Sequence, residues 1–286
     1  MPLTKPVIIA GAGPVGCVAA LRLVQAGIRV ILLEGAKELP QTLRASTFHP
    51  PSLDMIEELG LVKPLIAQGL ICDRYQYRDR RTGEVAEFNL AALKDDTRHP
   101  YRLQAEQWKL VYLIWKELAD KYSHLAECHL NFAVKGVNQV ADGVEVLAWE
   151  NGQERLLEGS YLIAADGADS TVRKACAIPF EGFTYPERFL VASTSFPLET
   201  KFENLALVNY ISDPEEWLVL LRAPSFWRVL IPTDPKIEDD NFFLADRWIQ
   251  DRLHHMAPVS RGCRAGSPGS PAAARAGPRP AHSRPG

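Results

Sequence analysis

Val7-Ile8-Ile9-Ala10-Gly11-Ala12-Gly13-Pro14-Val15-Gly16 decides how the rest of the chain is read. A short apolar, β-branched run ends in a glycine cluster. Apolar positions at helical spacing follow from Val15 to Val24, and then a second β-branched run, Val30 to Leu33. The order is strand, tight turn, helix, strand. Each glycine of the G-x-G-x-x-G pattern answers a separate steric demand: Gly11 the tight turn, Gly13 close approach of a pyrophosphate to the backbone, Gly16 close packing of helix on strand. The helix start adds unpaired N–H groups and the positive end of its dipole. Glu34 closes the second strand eighteen residues after Gly16, near the spacing expected of an acid that accepts from ribose hydroxyls. The segment therefore predicts an adenine-dinucleotide site built from Gly11, Gly13, Pro14, Val15, Gly16 and Glu34. It does not separate NAD from FAD. The apolar region from Val7 to Leu33 is long, but its glycines, Arg22 and Arg29 interrupt it where a membrane helix needs none, so it reads as a buried βαβ unit.

Downstream, helical patterns at Ser52 to Leu59 and Val62 to Gln68 precede a hairpin, Arg74 to Asp79 with Val85 to Leu90 around Thr82-Gly83. A longer helix is expected from about Ala105 to Tyr122. His129 to Val134 and Gly143 to Trp149 read as strands, the second opening on the turn Asp142-Gly143, and Tyr161 to Ala165 as a short buried strand. Alternation from Phe189 to Pro232 predicts a second sheet, and a helix follows at Asp246 to His255.

The buried strand at Tyr161 runs into Ala164-Ala165-Asp166-Gly167-Ala168-Asp169-Ser170-Thr171-Val172-Arg173. Together with the N-terminal fingerprint, this segment resembles the Asp-Gly motif of the class A FAD-dependent aromatic monooxygenases, the p-hydroxybenzoate hydroxylase-like and 3-(3-hydroxyphenyl)propionate hydroxylase-like proteins. The resemblance covers about Pro6 to Arg252 and is strongest over Val7 to Leu59 and Tyr101 to Arg173. It implies FAD as the cofactor, with Asp166 a cofactor contact and Arg173 a supporting residue. By the same resemblance, Arg44 in Leu43-Arg44-Ala45 and Gln104 in Tyr101-Arg102-Leu103-Gln104 stand where the family places groups near the flavin. The implied fold is α/β: a Rossmann-like FAD-binding domain at 1–72 and 98–180, with an inserted β-sheet substrate domain at 73–97 and 181–256.

The implied activity is that of an NADH- or NADPH-consuming monooxygenase, hydroxylating a small phenol-like aromatic with O2 through a C4a-hydroperoxyflavin. No catalytic residue is assigned. Tyr75, Tyr77, Tyr210, Trp217, Phe226 and Trp227 are candidates for the substrate-facing sheet, although aromatics at strand spacing are more often core, and His49 is a structural loop residue unless it approaches the flavin. The family's third motif, a Gly-Asp-Ala-Ala-His-like segment, is absent from the sequence. Three rivals stay open: a related FAD-dependent reductase or halogenase, an NAD-dependent dehydrogenase, and a truncated inactive flavoprotein homologue. The Asp-Gly motif argues against the dehydrogenase, and the lack of a Trp-x-Trp-x-Ile-like segment against the halogenase.

Composition narrows the partners. With 286 residues, 47% apolar and 23% charged, the chain can bury a large core. A net charge of -3 makes nucleic acid and anionic membranes poor partners and favours a small molecule. The five scattered cysteines lack metal-ligand spacing, so reduced thiols in a cytoplasmic protein are expected, with no metal site. No signal peptide is expected either, because Met1 to Pro6 lacks the required apolar segment. Homo-oligomerisation is left open. From Ala257 to Gly286 the chain is nearly all Ala, Gly, Pro, Arg and Ser, with no acid, lysine or aromatic, and builds no core. It reads either as a disordered tail or as the product of a frameshift in GC-rich DNA.

Overall fold

The computed structural model describes residues 4–41, 45–214, 216–237 and 239–256. The first stretch contains β1 (Val7–Ala10), α1 (Pro14–Gln25), β2 (Val30–Leu33), β3 (Thr47–Phe48), α2 (Pro50–Glu58) and α3 (Val62–Ile66). Next come β4 (Leu70–Cys72), β5 (Arg74–Asp79), β6 (Val85–Asn89), β7 (Arg102–Gln104), α4 (Gln107–Lys121), β8 (Ala126–His129), β9 (Phe132–Val140) and β10 (Gly143–Glu150). The chain continues through β11 (Gln153–Gly159), β12 (Tyr161–Ala164), α5 (Thr171–Ala175), β13 (Arg188–Thr194) and β14 (Val208–Ser212). It closes with β15 (Leu218–Arg222), β16 (Trp227–Thr233), α6 (Asp240–Leu244) and α7 (Asp246–Met256).

Two compact units divide the chain. The first comprises Met1–Ala45, Met55–Ala67 and Glu106–Gly182, and the second Ser46–Asp54, Gln68–Ala105 and Phe183–Gly286.

The first unit is Rossmann-like. Its parallel sheet has the order β12-β1-β2-β8, with Val7 beside both Tyr161 and Val30. Every residue of β1 and β2 is buried, which is why their sequences are continuous apolar runs rather than alternating ones. On one face lie α1, through Cys17, Ala20, Leu21 and Val24, and α4, whose buried Leu110, Ile114 and Leu118 recur at one-turn spacing. On the other face Ile8, Ile31 and Leu33 pack against Phe132, Val146 and Ala148 of an antiparallel sheet, β11-β10-β9.

One expected strand breaks in two. His129 to Val134 reads as continuous, but β8 ends at His129 and β9 starts at Phe132, because Asn131 takes a left-handed conformation (φ 55°) between them. Asparagine tolerates that region better than most residues. The expected turn at Asp142-Gly143 is present, with Gly143 at φ 137°. A Cβ on Gly143 would lie 2.1 Å from the Gly159 carbonyl oxygen.

The second unit is built on a six-stranded sheet, β13-β16-β15-β14-β5-β6. The β5–β6 hairpin forms as expected, with Arg74 paired to Asn89. One face of the sheet is aliphatic core, where Leu218, Leu220, Val229 and Ile231 pack under Leu198, Phe202 and Ile249. The single parallel junction, β5 with β14, is fixed by buried amides. Gln76 donates to the Asn204 carbonyl (2.9 Å) and accepts from Ala206 N (3.2 Å), while Asn209 donates to the Ala206 carbonyl (2.6 Å). A small sheet, β3-β7-β4, completes this unit.

Candidate functional site

The fingerprint glycines sit where β1 meets α1. Gly11 has φ +97° and donates its N–H to the Leu33 carbonyl at 2.7 Å, locking the turn to the end of β2. A Cβ on Gly11 would stand 2.4 Å from the Ala165 carbonyl oxygen, and one on Gly16 only 1.9 Å from the Gly11 carbonyl oxygen. Gly13 is different in kind: a Cβ there meets nothing within 4 Å. Gly13 is the N-cap of α1, with Pro14 in the first turn and no acid to neutralise the helix dipole. The open space beside it is a cleft of about 490 Å³, within the roughly 300–1,000 Å³ typical of ligand sites. It opens at the carboxyl ends of β1, β2 and β12, where the sheet order reverses, the place where open α/β sheets bind ligands.

Glu34 has a structural task in addition to the expected one. Its Oε2 accepts from Ala12 N (3.0 Å) and its Oε1 from Ala36 N (2.9 Å), so the carboxylate ties the glycine loop to the end of β2. A carboxylate has about four acceptor positions, and two of them are left for hydroxyl donors in the cleft. Asp166 is similar. Its Oδ1 accepts from Ser170 Oγ (2.6 Å) and its Oδ2 from Val172 N (3.1 Å), while Ser170 caps α5 by accepting from Arg173 N (2.9 Å). The Asp-Gly motif thus folds its own turn and presents Asp166 to the cleft wall. Ser170→Ala removes both the cap and one Asp166 donor, and is expected to cost about 1 kcal/mol, seen as a lower melting temperature. An unchanged melting temperature would show that the cap contributes nothing.

The structure brings Gly11, Gly13, Pro14, Val15, Glu34 and Asp166 together on the cleft, with Gly16 behind them as the packing contact. The Arg173 guanidinium lies over the Phe180 ring, 4.5 Å from its centroid. Arg44 lies outside the described residues. Gln104 belongs to the second unit, in β7, fully buried, where its Oε1 accepts from Thr47 Oγ1 (3.0 Å) and its Nε2 has no partner among the described residues. A buried amide donor without an acceptor is costly unless a ligand supplies one. Gln107, Trp108 and Val111 of α4 also line the cleft, a contribution that the sequence signals only through the start of the long helix just after Gln104.

Burial pushes the Cys17 thiol up to about 12 and those of Cys72 and Cys128 up to about 11. These thiols are poor nucleophiles or ligands at neutral pH.

A family model described as an FAD binding domain matches residues 4–256, a span that includes every described residue. The chain belongs to the FAD binding domain family. Among the relatives of this FAD-binding chain, the para-nitrophenol 4-monooxygenase of Pseudomonas sp. (strain WBC-3) is 30% identical over 254 residues, 88% of this chain and 61% of the relative. The 6-hydroxy-3-succinoylpyridine 3-monooxygenase HspB of Pseudomonas putida is 29% identical over 83% of this chain and 60% of its own length. The crystal structure of p-nitrophenol 4-monooxygenase PnpA from Pseudomonas putida DLL-E4 superposes with a TM-score of 0.81 at 28% identity, covering 91% of this chain and 64% of that one. The FAD-binding chain thus spans about 60% of the length of these relatives.

The residues present fit FAD, the family's cofactor. The space open beside Gly13, the α1 N-terminus without an acid and the spare acceptor positions of Glu34 match a pyrophosphate joined to a ribose. Among the described residues, no helix of the FAD-binding chain is long and apolar enough to cross a membrane.

Proposed function

We propose that this protein is an FAD-dependent, NADH- or NADPH-consuming monooxygenase that hydroxylates a small phenol-like aromatic compound with O2. The observation that carries the reading is the cleft at Gly13, open to a dinucleotide in a chain whose named relatives are monooxygenases of nitrophenol and hydroxypyridine compounds. Bound FAD would supply the redox chemistry, taking electrons from the nicotinamide nucleotide and activating O2 for transfer of one oxygen atom to the ring.

The chain's own residues bind and orient. From Gly13 to Gly16 the first turn of α1 would offer N–H groups and its dipole to the pyrophosphate, and Glu34 would accept from the ribose. Asp166 would hold the Asp-Gly turn against the cofactor with Arg173 supporting that turn, and Gln104 is proposed as a further residue that would contact it. By the family resemblance, Arg44 would add positive charge for the cofactor. We assign the six-stranded sheet of the second unit to the substrate, which it would hold away from water. The free thiols of Cys17, Cys72, Cys128 and Cys176 suit a reducing cytoplasm.

Purified protein is expected to be yellow or to become so on adding FAD, to bleach anaerobically with NADH or NADPH, and to release hydroxylated product from a phenol in air. A folded protein that takes up no FAD, or a flavoprotein that NAD(P)H does not reduce, would overturn the proposal.

A further inference from the structure

The two faces of the six-stranded sheet carry different chemistry. Opposite the aliphatic core face, Tyr77 pairs with Tyr210 and Tyr75 with Phe88 in strand register. The four rings are in contact. Tyr75 stacks on Phe88 at 5.1 Å and Tyr77 on Tyr210 at 4.8 Å, and the two pairs meet edge to face. Tyr77 and Phe88 remain 47% and 46% exposed, so the patch presents aromatic surface that this unit does not cover.

One cation serves this patch. Arg102, half-buried on β7 of the same unit, sets its guanidinium 4.3 Å from the Tyr75 ring centroid, and its Nη1 donates to the Tyr210 hydroxyl at 3.2 Å. Arg74 and Arg80 of this unit each meet a glutamate, Glu87 and Glu216, but no carboxylate among the described residues pairs with Arg102. Among the described residues only one of its five N–H groups is committed, and the Tyr210 hydroxyl, while accepting from it, has its own proton to donate. Partial desolvation and then the positive charge of Arg102 hold the exposed His49 ring below the usual histidine pKa. Two residues along β7, on the same face and roughly 6.8 Å away by strand geometry, the buried Gln104 Nε2 is a further donor without an acceptor among the described residues. This face of β7 offers donors and a positive charge beside aromatic rings.

We propose that Arg102, seconded by the Tyr210 hydroxyl, is the anion anchor of the substrate site: it takes the ionised oxygen group of an aromatic substrate whose ring lies against the Tyr75–Tyr77–Tyr210 patch. This rests on the monooxygenase reading in so far as the ligand is the substrate. A phenolate and an aromatic carboxylate share the chemistry Arg102 recognises, and a neutral aryl ether of the same shape lacks it.

The full chain, supplemented with FAD, is titrated calorimetrically with 4-nitrophenolate, 4-nitrobenzoate and 4-nitroanisole. At least one anion is expected to bind more tightly than the anisole, and the tighter of the two names the group recognised. Arg102→Met, which keeps the aliphatic stem, is expected to weaken that anion at least tenfold while leaving the anisole and FAD within about twofold. Tyr210→Phe is expected to weaken the anion two- to fivefold, and it decides the matter if the arginine variant does not fold. Equal losses for all ligands, a loss confined to FAD, an anion preference that survives both substitutions, or a wild-type chain that binds neither anion would each overturn the assignment. Absence of flavin reduction by NAD(P)H sinks the monooxygenase reading alone, since the anion preference is measured without turnover.

Discussion

Gly16→Ala is expected to abolish FAD uptake and to lower the melting temperature together, whereas Gly13→Val weakens FAD binding strongly and leaves the fold largely intact. At Gly16 the added carbon would lie 1.9 Å from the Gly11 carbonyl oxygen, a backbone atom that cannot rotate away. Helix α1 must then lift from β1, reopening a buried contact. Overpacking of this kind costs about 3 kcal/mol, the upper end of its usual range, because the obstacle is main chain. For a domain of this size that corresponds to a melting temperature lower by roughly 6–12 °C. At Gly13, φ is −68° and ψ −179°, an extended conformation open to any residue, and the new side chain enters empty space. Stability falls by about 1 kcal/mol, since valine is a poor N-cap, while FAD affinity falls about a hundredfold, or 2.7 kcal/mol. Thermal melting and FAD titration of the two variants separate packing from binding. If the Gly13 variant bound FAD as the wild type does, the pyrophosphate would not lie at this turn.

Glu34→Ala is expected to damage both the fold and the cofactor site. It strips the acceptor from Ala12 N, at a fully buried residue, and from Ala36 N. An unsatisfied buried N–H costs about 1–3 kcal/mol, and Ala36 is near enough to the surface to be rehydrated, so a net loss of about 2 kcal/mol follows. FAD affinity should drop at least tenfold, since the ribose loses its acceptor as well. Glu34→Gln retains one acceptor oxygen and should lose about half as much stability. Wild-type melting in Glu34→Ala would refute the claim that this carboxylate fastens the glycine loop.

The parts of the molecule legible in the sequence were those whose causes are local. The β1-turn-α1-β2 unit was read because glycine spacing, helical period and two fully buried strands all lie within about 30 consecutive residues. Glu34 and Asp166 were found by position, but their bonds to Ala12, Ala36, Ser170 and Val172 became visible only with the backbone in place. The break at Asn131 was hidden because the residues on both sides continue a strand-like run. β11 was not read because Glu154, Arg155 and Glu158 obscure the alternation of a largely exposed strand. Gln104 was found as a residue, but its orphaned amide depends on complete burial, which no spacing encodes. Arg102 had no pattern at all. A three-residue strand is too short for periodicity, and its partners Tyr75 and Tyr210 lie 27 residues before and 108 after it.

The pairing of β1 with β12 also sets an order of assembly. Ile8 sits beside Leu162, and the turn at Gly11 closes against Ala165, more than 150 residues further along. A ribosome that has delivered the whole glycine fingerprint has therefore not yet delivered the wall that fingerprint leans on. Until Ala165 emerges, β1 offers a bare apolar edge, and the loop for the pyrophosphate, though tied to the end of β2 through Leu33 and Glu34, lacks the wall it closes against. Contacts this distant in sequence are slow to form and leave an exposed strand edge open to wrong partners in the meantime. Yield in cells should then depend on how fast the stretch from β2 to β12 is synthesised, and free FAD can rescue the chain only after that wall has been made.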